Sequence, residues 1–216
     1  MVDEESGGTE RSADELLPRH PTLDNLRRAA AGCRACELWR TGTQTVFGEG
    51  VTPAELMLVG EQPGDREDID GRPFVGPAGA ILDRALSAAG LERANLYLTN
   101  AVKHFRWVPR GKRRLHQKPD AGHIAACFPW LRAEVELARP RLVICLGATA
   151  AQAALGPSVR VLRDRGRVVP SALGVPAMPT VHPSSILRAP DDEAREQAFQ
   201  EFVADLRASA EWLSRG

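Results

Sequence analysis

The chain has 216 residues, with 28 Lys and Arg balancing 28 Asp and Glu, and no apolar stretch as long as a membrane span requires. This length suits one domain with a substantial core, and a charged content of 26% is ordinary for a globular protein. The first residues are acidic and lack the layout of a signal peptide, so we expect a cytoplasmic protein without membrane contact. A net charge of zero neither favours nor opposes nucleic acid as a partner.

The predicted elements begin after a polar stretch. Residues 1–20 lack apolar periodicity and predict a disordered tail, which leaves 21–216 as a single domain. Thr22 is placed to cap a short helix that leads directly to Cys33-Arg-Ala-Cys36.

Strand and helix patterns then alternate along the chain. The apolar run at 55–60 predicts a buried strand that ends in a turn, and 77–90 places its apolar residues on one helical face. Pro129 is expected to kink or restart the helix that Asp120 caps. Further strands are predicted over 94–100, 140–147 and 175–183, and further helices over 148–155 and from about Asp191 to Ser214.

This alternation predicts an α/β fold, a three-layer αβα domain around a central, mostly parallel four-stranded sheet. In such sheets ligands bind beyond the carboxyl ends of the strands. The turn at 61–64, Asn100 and His182 each end or follow a predicted strand. We therefore expect these residues to meet at one edge of the sheet.

The four cysteines are enough to ligate one metal centre. Cys33 and Cys36 have the spacing of two ligands, and Cys127 and Cys145 complete a set that suits zinc or an iron–sulfur cluster. The plainer alternative is a redox pair with two core cysteines, and the apolar surroundings of Cys145 are typical of a core position.

A basic segment follows the second predicted strand. From Lys103 to Lys118 the chain has seven Lys or Arg and no Asp or Glu. Such local charge is a candidate for phosphate contacts, although a solvated surface loop is the plainer interpretation. The stretch 111–117, with the sequence GKRRLHQ, adds a histidine to this segment.

Two motifs and the cysteines resemble the family-4 uracil-DNA glycosylases. Residues 60–79, GEQPGDREDIDGRPFVGPAG, are similar to the first motif of that family, and 182–188, HPSSILR, resemble the second. The cysteines resemble its four-cysteine [4Fe-4S] site, and the similarity covers the chain from about residue 26 to residue 210. Gln62, where Ala or Gly is usual, and the inserted GKRRLHQK match the UdgX branch, whose members bind uracil-DNA covalently through the histidine of this loop. Leu115 replaces the usual Ile.

The resemblance implies roles in breaking a glycosidic bond. That reaction builds positive charge on the sugar and negative charge on the leaving uracil, which must first leave the base stack. Glu61 is implied as the carboxylate that stabilises the sugar, and His182 as the donor to uracil O2. The other implied contacts are stacking on uracil by Phe74, hydrogen bonding to its edge by Asn100, exclusion of thymine by Glu67, and substrate or phosphate contacts by Gln62, Gly64, Ser184 and Arg188. Without the resemblance, these residues suit a loop acid, a core Phe, a turn Asn and a capping His.

His116 carries the most specific implication. A neutral imidazole is available over much of the physiological pH range, and a ring nitrogen within reach of the sugar cation captures it before water does. Gln62 is interpreted as positioning this loop, while Lys112, Arg113 and Arg114 are candidates for phosphate contacts. The alternative is that His116 contacts only phosphate, as its basic neighbours do.

We therefore predict a glycosylase that excises uracil from DNA and becomes linked to the abasic sugar through His116, with a structural [4Fe-4S] cluster. The expected partner is uracil-containing DNA, with single strands preferred and uracil as product. We expect a monomer that is cytoplasmic and joins the nucleoid when on DNA. Three alternatives remain open: a multiple-turnover glycosylase, a non-catalytic module that marks uracil, and a redox-sensing iron–sulfur protein.

Overall fold

A computed structural model of the protein describes residues 12–215. The helices are α1 (Leu23–Ala31), α2 (Asp65–Asp70), α3 (Pro77–Ala88), α4 (Ala121–Ala138), α5 (Ala148–Leu155), α6 (Val161–Asp164), α7 (Pro183–Leu187) and α8 (Asp192–Arg215). The strands are β1 (Glu49–Gly50), β2 (Leu56–Gly60), β3 (Tyr97–Asn100), β4 (Trp107–Arg110), β5 (Arg113–His116), β6 (Leu142–Leu146) and β7 (Ala177–Thr180). Short 3₁₀ helices cover Ala13–Leu16, Glu37–Arg40 and Arg93–Asn95.

The central sheet has the strand order β1-β3-β2-β6-β7. The three pairings among β3, β2, β6 and β7 are parallel, and only the two-residue edge strand β1 runs antiparallel. The prediction of an α/β domain with a mostly parallel sheet is therefore confirmed. The predicted four strands are the parallel ones, and β1 is an addition too short to leave a periodic signal in the sequence.

Helices cover both faces of the sheet because its strands alternate apolar side chains between two cores. Leu58 and Leu98 face a core formed with α3, α7 and α8. Met57 and Val59 face the opposite core, formed with α4 and α5. This arrangement gives the predicted three layers, with the strand ends left free to carry polar side chains.

The basic segment is a β-hairpin, where the sequence suggested a loop. Strands β4 and β5 pair with each other in a separate two-stranded sheet, and Trp107 lies opposite His116. Gly111 sits at the tip with φ +59°, a left-handed conformation that glycine adopts without a steric penalty. The hairpin therefore holds His116 in a defined register.

Two other expectations are corrected by the described residues. Pro129 lies inside α4, which continues as one helix over Ala121–Ala138, so the predicted restart does not occur. Residues 1–11 of the predicted tail over 1–20 lie outside the described part of the chain. The remaining part of this tail includes the 3₁₀ helix at Ala13–Leu16, which packs against α4 because Ala13 is fully buried.

Among residues 12–215, no helix combines the length and the apolar character needed to cross a membrane.

Candidate active site

Polar side chains gather at the carboxyl edge of the parallel strands, as the sequence predicted. Glu61 directly follows β2, Asn100 ends β3, and His182 follows β7. The hairpin reaches the same edge, where His116 Nε2 lies 3.2 Å from Glu61 Oε1. The structure thus brings the three predicted catalytic residues into one site.

Glu61 is held from two sides. Its Oε1 faces His116, and its Oε2 accepts a hydrogen bond from the hydroxyl of Thr149, the second residue of α5. Burial alone would raise the pKa of Glu61, but the hydrogen bonds from His116 and Thr149 outweigh it and lower the pKa below its usual value. The site therefore holds an oriented, ionised carboxylate.

Thr149 is a site residue that the sequence reasoning missed. It is fully buried, although threonine has no strong reason to avoid solvent. The available signal was its position, because the start of the helix after β6 reaches the same sheet edge as Glu61.

His182 is oriented as a hydrogen-bond donor into the site. Its Nδ1 accepts a hydrogen bond of 3.1 Å from the backbone N–H of Ser184, which places the ring proton on Nε2. Burial lowers the pKa of His182 to about 4, because a charged ring is poorly solvated there. The imidazole is therefore neutral near pH 7 and still able to donate.

Phe74 and Asn100 approach each other across Gly60. A Cβ on Gly60 would lie 2.3 Å from Asn100 Oδ1 and 2.7 Å from the Phe74 ring, so any larger residue would displace these side chains. The Phe74 ring lies 6.3 Å from the His182 ring at an interplanar angle of 29°. Phe74 itself has φ +55°, an unusual conformation for a residue with a side chain. These contacts bring an aromatic ring, an amide and an imidazole together beside Gly60.

Asn100 is 3% exposed, and its side-chain amide makes no hydrogen bond with any of residues 12–215. Its backbone carbonyl instead accepts a hydrogen bond of 2.7 Å from Lys103 Nζ. Lys103, a member of the basic segment, is buried in an ion pair with Glu134 and does not reach the surface. The Asn100 amide is thus fixed through its backbone, with its donor and acceptor available to a ligand.

Gln62 clamps the hairpin at its base. Its amide nitrogen donates to the carbonyls of Arg106 and Gln117, at 3.2 and 3.0 Å, and its amide oxygen accepts from the N–H of Arg106 at 3.0 Å. Arg106 precedes β4 and Gln117 follows His116 directly. The expectation that Gln62 positions the histidine loop agrees with this geometry, because one side chain ties both strands of the hairpin to the turn after β2.

Glu67 connects the two ends of the first motif. Its carboxylate accepts hydrogen bonds from the N–H of Gly64, at 3.1 Å, and from that of Gly76, at 2.8 Å. The predicted contacts of Gly64 and Glu67 with the base stay predictions. The described contacts assign both residues to shaping the loop that carries Phe74.

The basic side chains of the hairpin divide into two groups. Lys112 and Arg113 are exposed at its tip, and neither forms an ion pair with the described residues. Arg114 instead forms ion pairs with Asp65 and Asp68 of α2. Arg114 therefore attaches the hairpin to α2, and the assignments of Arg114, Lys112 and Arg113 to DNA phosphate stay predictions.

Ser184 and Arg188 support His182. The hydroxyl of Ser184 lies 2.8 Å from His182 Nδ1 and accepts a hydrogen bond of 3.1 Å from Arg188. Both residues are thus placed at the edge of the site, where their contacts with substrate or phosphate stay predictions.

The cysteines do not form the predicted set of four. Cys33, Cys36 and Cys127 share one apolar cluster between α1 and α4. Cys145 lies in β6 between Val59 and Pro179, in the core on one face of the central sheet. The assignment of Cys145 as a metal ligand is therefore wrong, because a strand in the middle of the sheet keeps its thiol within that core.

His104 is the other donor that the sequence reasoning missed. It is 5% exposed and makes no hydrogen bond within the described part of the chain. It follows Lys103, whose backbone N–H donates to Cys127 Sγ at 3.3 Å. Within residues 12–215, no three His, Cys, Asp or Glu side chains lie close enough to hold a single metal ion. The thiols and His104 are the donor types of an iron–sulfur cluster, in which histidine can replace cysteine.

The fold and site define an α/β protein that gathers a carboxylate, two imidazoles and an aromatic ring at the carboxyl edge of its parallel sheet. The Uracil DNA glycosylase superfamily profile matches residues 47–207, and the chain belongs to this family.

Curated relatives are similar over most of their length. The Type-4 uracil-DNA glycosylase of Thermotoga maritima is 36% identical over 188 residues, which are 87% of this chain and 94% of that protein. The Type-4 uracil-DNA glycosylase of Archaeoglobus fulgidus is 33% identical over 197 residues, covering 88% of this chain and 92% of that protein. A Type-5 uracil-DNA glycosylase of Pyrobaculum aerophilum is 33% identical over 189 residues, covering 78% of each.

Proposed function

We propose that the protein excises uracil from DNA and then captures the abasic sugar through His116. The carrying observation is the 3.2 Å separation of His116 Nε2 and Glu61 Oε1. It puts a nucleophilic ring beside the carboxylate that would face the sugar cation. The names of the curated relatives support the first half of this proposal, and the hairpin geometry supports the second.

In the excision step, the flipped uracil enters between Phe74 and the open amide of Asn100. The C1′–N1 bond breaks, and its electron pair leaves with the uracil. His182 Nε2–H donates to the developing negative charge at O2, while the ionised Glu61 stabilises the positive charge at C1′. A neutral His182 imidazole suits this task because it donates a hydrogen bond to the leaving uracil and does not need to lose a proton before the uracil departs.

In the capture step, the lone pair of an imidazole nitrogen of His116 forms a bond to C1′. The positive charge that arrives on the ring is neutralised when Glu61 or solvent accepts a proton. His116 is 49% exposed, so DNA entering the site can reach it without unfolding the hairpin. The product is a carbon–nitrogen bond without an evident leaving group.

The decisive experiment mixes the protein with a labelled single-stranded oligonucleotide that contains one uracil and separates the products on a heated denaturing gel. A shifted band that saturates at one equivalent of protein supports capture. Abasic product in excess of the protein, without the band, would instead identify a multiple-turnover glycosylase. Intact uracil in bound DNA would favour a non-catalytic binding module.

The single-turnover rate of uracil release by the unsubstituted protein is expected to be nearly independent of pH between about 5.5 and 8, because release precedes capture and can be measured separately from it. His182 has a pKa lowered to about 4, so acidification protonates it only well below this range. Glu61, with its pKa also lowered, stays ionised throughout. A decline centred near the ordinary histidine pKa of about 6.5 would contradict the assigned protonation state of His182.

We propose that a [4Fe-4S] cluster is held by Cys33, Cys36 and Cys127, with the imidazole of His104 as fourth ligand. When bound, the cluster would fix the segment around the C-x-x-C pair to α4. The shared apolar cluster of the three cysteines supports three ligands of this set, and the position of His104 directly after Lys103, whose backbone N–H donates to Cys127 Sγ, supports the fourth.

Cys127→Ala is expected to lose the iron, whereas Cys145→Ala keeps it. The measurement is iron and acid-labile sulfide per protein, with circular dichroism to confirm folding. His104→Cys should also keep the iron, because a thiolate replaces the imidazole. Loss of iron from a folded Cys145→Ala variant would restore Cys145 as a ligand.

We also propose that the protein acts as a monomer with a preference for single strands, in which a base does not need to be extruded from a duplex.

A further inference from the structure

An aromatic and cationic patch lies outside the pocket, next to the C-x-x-C pair. Arg34 lies over the ring of Trp39 at 4.6 Å from the ring centroid, and Arg40 lies at 5.6 Å. Trp39 is half-buried and both arginines are exposed. Neither guanidinium takes part in an ion pair with any residue of the described chain. We call Arg34, Trp39 and Arg40 the Trp39 platform.

The platform is fixed to the hairpin that carries His116. Thr41 follows Arg40, and its carbonyl accepts a hydrogen bond of 2.9 Å from Trp107 Nε1. Trp107 in turn lies directly opposite His116 in the hairpin. Two contacts, one from Thr41 to Trp107 and one across the hairpin from Trp107 to His116, thus connect the platform to the site.

A second attachment holds the same segment to α2. The N–H of Thr43 donates to Asp68 at 2.9 Å, and Gln44 donates to the carbonyl of Ile69 at 2.9 Å. Because the segment after the platform is bonded to both the hairpin and α2, its position relative to the pocket is fixed before any ligand binds. Such preorganisation suits a binding surface.

We propose that the Trp39 platform binds the nucleotides beside the uracil in single-stranded DNA, an inference that rests on the proposed function. An aromatic ring with unpaired arginines over it matches the chemistry of single strands, whose exposed bases stack on aromatic rings or guanidinium planes while their phosphates pair with guanidinium groups. A duplex offers fewer free base faces. The platform therefore gives a physical basis for a single-strand preference.

The test compares two labelled substrates in single-turnover reactions, a long single strand with central uracil and a minimal one with one nucleotide on each side. Trp39→Ala is expected to raise roughly tenfold the protein concentration that gives a half-maximal rate, and to do so for the long strand only. The maximal rate and the half-maximal concentration for the minimal strand should not change. Trp39→Phe keeps an aromatic face and should recover most of the affinity.

Arg34→Gln and Arg40→Gln should each make the slope of log affinity against log salt concentration shallower by about one unit or less, because each removes one cation that pairs with a phosphate. An equal effect of Trp39→Ala on both substrates, no effect on the long one, or loss of iron would overturn the proposal. Loss of iron would assign Trp39 to covering the cysteines.

The platform and the proposed function fail separately. If the wild-type protein neither excises nor captures, the proposed function is wrong. Fluorescence anisotropy with a uracil-free single strand then still tests the platform. Weaker binding by Trp39→Ala, with recovery in Trp39→Phe, supports it, and equal binding by all three proteins rejects it.

Discussion

His116→Ala is expected to abolish the heat-stable adduct with uracil-containing DNA while uracil release continues with turnover. Without the imidazole, water reaches the sugar cation, and the resulting abasic DNA can leave the site. Glu61 loses one hydrogen-bond partner but keeps the one from Thr149, so the carboxylate stays in place. The measurement is the number of uracils released per protein, together with the shifted band on a denaturing gel.

Leu115→Ala provides the matched control for this variant. Leu115 is the preceding residue of β5 and is exposed, so its truncation tests the hairpin without removing the imidazole. This control should form the adduct at close to the wild-type rate. A heat-stable band in His116→Ala would show that another residue is the nucleophile.

Gln62→Ala should separate positioning from chemistry. It removes the hydrogen bonds that tie Arg106 and Gln117 to the turn after β2, and it leaves His116 present. We expect adduct formation to slow and a fraction of the cleaved DNA to escape as free abasic product.

Glu61→Gln is expected to lower the single-turnover rate of uracil release by a factor on the order of 100 or more. The amide has the shape of the carboxylate and can still contact Thr149, but it does not carry the negative charge that stabilises the sugar cation. Because bond breaking precedes capture, the adduct should appear equally slowly. The rate is measured with protein in excess over DNA, so that binding does not limit it.

Glu55→Gln is the control for the loss of a carboxylate near β2. Glu55 lies before the opposite end of the strand and pairs with Arg141 at 3.2 Å on the surface. Its substitution should leave the rate unchanged. A Glu61→Gln protein that releases uracil as fast as this control would exclude a catalytic charge at Glu61.

The sheet and its catalytic edge were predictable because they depend on local patterns. Apolar runs of strand length alternate with amphipathic helices, and parallel strands bring their carboxyl ends together wherever such units repeat. Glu61, Asn100 and His182 therefore could be placed at one edge before any coordinates. Their roles came from the motifs, since periodicity carries no information on chemistry.

The cysteine set and the hairpin depended on contacts between distant segments. Cys145 has the residue type of a ligand, but its place in the strand order puts it in the sheet core. Arg114 belongs to a basic run, and only the position of α2 shows that Asp65 and Asp68 neutralise it. His104 showed no signal of its own, because a single buried histidine has many ordinary explanations.

The hairpin belongs to neither core and shares no strand pairing with the central sheet. Side chains such as Gln62 and Arg114 hold it in place from outside. An ancestor could gain or shed such an appendage without refolding, because the pocket walls and both cores lie in other segments. The difference between a multiple-turnover enzyme and one that stays covalently bound to its product would then depend on this hairpin alone.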